Sequence, residues 1–233
     1  GALLALNKPP GLPVLGQTGE VNLSELLPAL RRRLGHHAEF HVVKAPAREC
    51  SGLTLLSSCY QTTKQLQQFF ANARQRGQFP VTYHAVTVRV PAEVQGEIRT
   101  GLQWQKQGDT AVVVPVSVPG YRSLARKDVK NTLTRYQVLG AARGCALLQL
   151  QPRTAFPKQL QVHLMLLLCP ALGDHQYSAR VGRVLGVPFL LPLEAAPACT
   201  QVLDEELVTQ LGLNPWQLRH LPLHLHLHRL ELP

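Results

Sequence analysis

Leucines set the first helical stripe of this chain. Leu23, Leu26, Leu27, Leu30 and Leu34 recur at three- and four-residue spacings, the period of one helix face. Asn22 is placed to cap that helix, Glu25 sits three residues on, and Gly35 stops it. Pro28 lies inside the stripe and marks a kink or a later start. A second helix is predicted from a cap at Thr62 or Thr63 to Arg76, burying Leu66, Phe69, Phe70 and Ala73, with Gly77 as its end. A third, short helix runs from Asp204 to Leu211 with acids in its first turn. Strand-like runs fall at Ala2–Asn7, Leu53–Leu56 and Val81–Val90. Thr132–Leu139 and Cys145–Gln151 alternate and read as an antiparallel pair joined at Gly140–Gly144. Between positions 91 and 130, Gly, Pro and charged residues separate short β runs such as Ala111–Val118. This predicts an irregular hairpin insertion followed by a basic connection, Arg122–Lys127. In the tail, His224, His226 and His228 alternate with leucines, which puts all three on one face of a strand.

At 233 residues the chain is long enough for a sizeable core, and its length fits one large α/β or α+β domain as well as two small ones. Charge then narrows the partner. Lys and Arg number 24 against 14 Asp and Glu, a net charge of +10. That excess favours a polyanion, nucleic acid ahead of an anionic membrane surface; a generally basic surface with no defined site is the plainer reading. The five cysteines are scattered with no C-x-x-C spacing, which argues against a disulfide framework or a zinc site and suits a reducing compartment. The three tail histidines lie in a line about 6.6 Å apart, a poor cage for one ion, so no metal is expected. The longest apolar run, Leu164–Cys169, is far short of the ~18 residues of a membrane span. No secretory signal is visible. The chain opens on Gly1 rather than Met, and a further N-terminal segment is expected to precede it.

Four short segments carry the chemistry. Lys8-Pro9-Pro10-Gly11-Leu12-Pro13-Val14 is a rigid extended turn, because three prolines and a glycine in seven residues exclude a helix. A lysine fixed on such a turn is either presented to phosphate or merely solvated. Val42–Ser58, VVKAPARECSGLTLLSS, runs as a loop through Ser51-Gly52 into an apolar strand. Thr82-Tyr83-His84-Ala85-Val86 lies on a strand, where Tyr83 by itself is a half-buried aromatic. Thr154–His163 opens a helix and is followed by Pro170, Gly173-Asp174 and Tyr177; His163 reads as a helix histidine in a hydrogen bond.

In this order and spacing the four segments resemble the RluA-type pseudouridine synthase family, across nearly the whole chain. Lys8, Pro9, Gly11, Leu12 and Val14 match its first motif, K-P-x-G-[LM]-x-V. Ser51, Gly52, Leu53, Leu55 and Leu56 match its central motif, H-R-L-D-x-x-[TS]-S-G-L-L-L-L-A, and Tyr83 its [KR]-x-Y-x-A-[LIV] motif. Thr154, Gln159, Val162, His163, Pro170, Gly173, Asp174 and Tyr177 match T-G-R-T-H-Q-I-R-V-H and H-P-[IL]-x-G-D-x-x-Y. The resemblance implies an α+β chain forming a single domain over 1–233 with the pseudouridine synthase fold, a mixed, largely antiparallel sheet with flanking helices and a central RNA-binding cleft. It implies that Tyr83 lines the pocket for the flipped-out base and assists proton removal, and that Lys8, Lys44, Arg48 and Lys158 meet RNA. The implied RNA is mitochondrial messenger RNA, large-subunit ribosomal RNA or both. Other pseudouridine synthases and RNA-granule or ribosome-assembly proteins are the implied companions, in the mitochondrial matrix, with no cofactor.

Two departures from the motifs matter. Counting back from Ser51, the family's catalytic aspartate falls on Ala47, and the arginine that pairs with it falls on Gln161. Glu49, two residues along, is the nearest carboxylate and a poor substitute, because even ~1 Å of misplacement can cost about a hundredfold in rate. Loss of one member would leave an unpaired charge at a cost of several kcal/mol, whereas here both positions are neutral. Two readings follow: a synthase of mitochondrial RNA that uses another group or an active partner, and an RNA-binding pseudoenzyme supporting mitochondrial RNA processing or ribosome assembly. A protein-binding scaffold without RNA contact is the third, and the charge weighs against it.

Overall fold

The computed structural model describes residues 2–17, 19–107, 110–116, 128–195 and 198–233. The chain forms two compact units, Gly1–Tyr83 with Leu225–Pro233, and His84–His224.

The first unit is built on the apolar run that follows Ser51-Gly52. This run is strand β3 (Ser51–Ser57). Strand β1 (Leu3–Lys8) pairs with it antiparallel, Leu3 opposite Ser57 and Lys8 opposite Gly52. Strand β2 (His41–Lys44) also pairs antiparallel, with a bulge between Val42 and Lys44. Strand β11 (Leu225–Leu230) lies parallel, Leu227 opposite Gly52, so the pairing is mixed. Gly52 has φ +124°, and a Cβ there would overlap the Leu227 backbone; no other residue lets the two strands approach this closely. Successive β3 side chains serve different cores, as a strand's period of two requires. Leu56 packs with Leu23 and Leu27 of helix α1 (Leu23–Arg33) and with Phe40. Leu55 packs with Leu66 and Phe70 of helix α2 (Tyr60–Gln75), with Val43 and with Leu227. Each such leucine contributes about 1.5–3 kcal/mol on burial.

One helix start follows the Asn22 cap expected from the sequence, and one departs from expectation. Helix α1 begins at Leu23 and continues through Pro28 rather than starting late, because the Asn22 side chain accepts the Glu25 N–H at 3.1 Å and fixes the first turn. Helix α2 begins at Tyr60, ahead of the expected threonine cap. The Thr63 N–H and hydroxyl both donate to the Cys59 carbonyl, at 2.9 and 3.0 Å, which puts Thr63 inside the helix.

Strand β4 (Val81–Val88) carries the chain onward. The second unit is an antiparallel sheet. Strand β5 (Gln95–Gln107) pairs with β6 (Thr110–Val116) and with β7 (Val129–Ala142), which in turn pairs with β8 (Cys145–Pro152). Over residues 95–107 and 110–116, the stretch expected to be an irregular hairpin insertion is a regular antiparallel pair. Gly96, which reads as a strand breaker, leaves room for the Tyr136 ring opposite it. The basic connection Arg122–Lys127 lies outside the described residues. The β7–β8 turn is tighter than expected: Ala142 pairs with Cys145, and Arg143 and Gly144 both take positive φ, as a two-residue hairpin turn demands. Helix α3 (Gln159–Leu166) buries Val162 and Met165 against Leu102, Val113 and Tyr177. Three further elements went unread in the sequence: the hairpin of β9 (Val181–Val184) and β10 (Val187–Leu190), and helix α5 (Pro215–Arg219). Helix α4 (Glu205–Leu211) buries Leu207 with Val88, Leu172 and Leu203. Among the described residues no helix is long and apolar enough to cross a membrane.

Candidate functional site

The loop between β2 and β3, residues 45–50, is held from below by Lys8. That lysine is 3 % exposed. Its Nζ donates to the carbonyls of Leu12 at 2.8 Å, Cys50 at 2.8 Å, Pro9 at 2.9 Å and Arg48 at 3.2 Å. The Gly11 N–H also donates to the Arg48 carbonyl, at 2.8 Å. The expectation that Lys8 is presented to phosphate is therefore replaced. An ammonium with three protons and four carbonyl acceptors has none left for a ligand. Desolvation pulls its pKa below the ordinary lysine value, opposed by the nearby Cys50 and Glu49 groups. Lys8 welds the proline turn to the loop, which explains physically why a lysine and that turn occur together.

Ala47 stands exposed at the loop's outer bend, where the Cys50 N–H closes back onto its carbonyl at 3.1 Å. Arg48 is exposed and ion-paired to Glu20 at 2.7 Å. Glu49 is half-buried. At the far end of the loop the Ser51 hydroxyl meets His226 Nδ1 at 2.9 Å, so one tail histidine serves to seat the loop exit. Desolvation, and then the charge of His228, lower the His226 pKa. Tyr83 packs onto the α2 core. Burial drives its phenol far above the ordinary tyrosine range, with the Cys50 and Glu49 groups adding to the rise and Arg74 opposing it. A phenol so raised stays protonated at neutral pH, which disfavours its use as a base. Lys44, at the end of β2, is pulled down to about 8 by desolvation first and then by the Arg74 charge. Lys44, Arg74 and Tyr83 thus form one electrostatic group with the loop, a grouping that no sequence spacing signals.

The second unit holds the remaining matched residues. Thr154 and Gln159 pin the start of α3 to β7. The Leu133 N–H donates to Thr154 Oγ1 at 2.9 Å, the Thr154 hydroxyl donates to Gln159 Oε1 at 3.0 Å, and Gln159 Nε2 donates to the Leu133 carbonyl and Thr134 hydroxyl. Lys158 caps the helix in the left-handed region, φ 57°. His163 is buried against Thr132, Nε2 to Oγ1 2.9 Å, and desolvation lowers its pKa to about 4.

Gln161 Nε2 donates to Asp174 Oδ1 at 3.3 Å. The same oxygen accepts the N–H groups of Gln176 and Tyr177, each at 3.0 Å, while Oδ2 has no partner among the described residues. Asp174 is 1 % exposed, and desolvation raises its pKa against the pull of those donors and of the Lys158 charge. The sequence reading matched Asp174 to a motif without giving it a role, because only burial reveals its unusual state. Among the described residues no group of three His, Cys, Asp or Glu is placed to hold a metal ion.

Comparison with known proteins fits this arrangement. A family model described as RNA pseudouridylate synthase matches residues 2–166. The chain is 50 % identical over its whole length to the mitochondrial mRNA pseudouridine synthases of Mus musculus and Homo sapiens, and spans 68 % and 66 % of them. It is 34 % identical to a mitochondrial pseudouridylate synthase of Mus musculus, over 99 % of this chain and 60 % of that protein. Among solved structures, human RNA pseudouridylate synthase domain containing 4 superposes with a TM-score of 0.73 and 30 % identity, covering 97 % of this chain and 78 % of that one.

Proposed function

Because the chain belongs to the RNA pseudouridylate synthase family, we propose that it binds mitochondrial messenger RNA with the synthase fold and leaves the isomerisation itself to a partner subunit. The observation that carries this reading is the exposed methyl group of Ala47 at the bend where the family resemblance puts a carboxylate. Pseudouridine formation breaks the bond from ribose C1′ to uracil N1, turns the base, and joins C1′ to C5. The uridine must first leave its stack. The family's carboxylate attacks or removes a proton in this sequence, and a methyl group does neither. The loop does not deliver Glu49 instead, because Lys8 anchors it through the Arg48 and Cys50 carbonyls on either side. What the chain retains suits binding: a net charge of +10 and the loop with its exposed Arg48. The mitochondrial setting follows the names of its relatives. A location in the matrix, a link to large-subunit ribosomal RNA and work beside ribosome-assembly proteins extend the same reading.

A second reading has its own support. The relatives at 50 % identity are named as synthases, and Lys44, with its pKa near 8, is in part a neutral amine at neutral pH and so able to act as base or nucleophile. A single-turnover assay of the purified chain on mitochondrial messenger and large-subunit ribosomal RNA separates the two, scoring pseudouridine site by site beside binding. Salt-sensitive binding without product is the expected result. Pseudouridine made by this chain alone would overturn the proposal, and Lys44 and Glu49 would then be substituted in turn.

A further inference from the structure

The first unit contains a groove whose lining, Val14 apart, lies outside the matched motif residues. It lies between α1 and α2 alongside the start of β2, with a volume of about 550 Å³, within the roughly 300–1,000 Å³ of small-molecule sites. Its floor is apolar, from Leu27 and Phe40. Its mouth is aromatic and cationic. Tyr60, the first residue of α2, is 59 % exposed. The His41 ring meets it edge-on at 5.6 Å, and the Lys64 ammonium, one helical turn along, sits 4.6 Å from its ring centroid. Arg31, first of the three arginines that end α1, lines the same groove. Glu39 is the single carboxylate in the lining, against those two cations.

Arg31-Arg32-Arg33 is explained only in part by the helix dipole, which needs no groove and no aromatic neighbour. A half-exposed tyrosine with one cation at its ring and a second in the same groove has the composition of sites that hold unpaired nucleotides, where the ring stacks on a base and the cations take the phosphate. We propose that this groove takes an unpaired nucleotide of the bound RNA, its base against Tyr60 and His41 and its phosphate between Lys64 and Arg31. The inference rests on the RNA-binding reading above and adds to it a second contact, made by residues outside the Ala47 loop. An acidic peptide would meet the same cations but has less use for a flat exposed ring beside them.

The test uses RNA carrying 4-thiouridine, photo-crosslinked to the purified chain, with the crosslinked peptides mapped by mass spectrometry. A crosslink at Tyr60 or His41 is expected, and it needs no substitution. In parallel, Tyr60→Ala should weaken binding roughly 5- to 150-fold. Arg31→Gln with Lys64→Gln should lower the slope of log affinity against log salt by about 0.7, for the one phosphate given up. Unchanged melting temperatures establish that both variants fold. If the wild-type chain binds RNA but crosslinks only elsewhere, and the variants bind as tightly with the same slope, the groove proposal fails while RNA binding stands. Acidic peptide captured by the groove with RNA affinity untouched also overturns it. If the wild-type chain binds no RNA, the functional reading itself fails, and this site with it.

Discussion

Gln161 holds Asp174 by a single hydrogen bond, Nε2 to Oδ1 at 3.3 Å, inside the second unit. Three N–H groups converge on that one oxygen, and the other, Oδ2, has no partner among the described residues. An arginine at position 161 would bring a positive charge and a fork of donors. Glutamine brings one neutral donor, and burial therefore raises the carboxyl pKa against the pull of its donors.

An amide at this position keeps the Oδ1 acceptor without the charge that burial disfavours. Asp174→Asn is expected to change stability by less than about 1 kcal/mol, since Oδ1 keeps its acceptor role. Asp174→Ala strands the Gln176 and Tyr177 N–H groups and should cost about 2–4 kcal/mol. Urea unfolding of the two variants checks this. Equal losses would mean that the Oδ1 acceptor alone does not carry the contribution of Asp174.

Lys8 gives a prediction of the opposite kind from its sequence reading. Lys8→Met removes the donor shared by four carbonyls and should destabilise the chain by about 2–4 kcal/mol. The salt slope of RNA binding should not change. A slope lower by about 0.7–1 in a folded variant would mean that the ammonium reaches phosphate after all.

His163 sets a pH dependence. Its folded pKa, about 4, lies below the unfolded value of 6.5, so between those values the unfolded state holds more protons. Its contribution is present above pH 6.5 and is lost as pH falls toward 4, about 2 kcal/mol of it between pH 7 and pH 5. Asp174, with its raised pKa, acts in the other direction, gaining stability as pH falls. The difference between wild type and His163→Gln isolates the histidine. Denaturation at pH 7 and pH 5 should show the variant losing about 2 kcal/mol less.

Ala47→Asp alone is expected to leave the chain without pseudouridine formation. The resemblance calls for an arginine as well, at position 161, and Gln161 is engaged with Asp174. Ala47→Asp with Gln161→Arg is the variant that supplies both charges. Turnover by Ala47→Asp alone, scored by mapping pseudouridine on mitochondrial messenger RNA, would show that the carboxylate suffices.

The sequence by itself determined the local elements and the family. Leucine spacing placed α1, alternation placed β7 and β8, and the motif order from Lys8 to Tyr177 identified the synthase family. These features are encoded over a few residues each, where side-chain period and turn chemistry decide the outcome. The start of α2, the regular course of β5 and the hairpin of β9 and β10 were not legible. Thr63 is a plausible cap until the Cys59 carbonyl claims it, and Gly96 is a breaker until Tyr136 fills its face. The states of the site residues were further out of reach. Whether Lys8 is a phosphate ligand or a structural pin depends on carbonyls 40 and 42 residues away. Asp174, Tyr83 and Lys44 take their protonation from burial and from neighbours distant in sequence. Desolvation and charge proximity are properties of packed three-dimensional surroundings, so only the tertiary structure decides them.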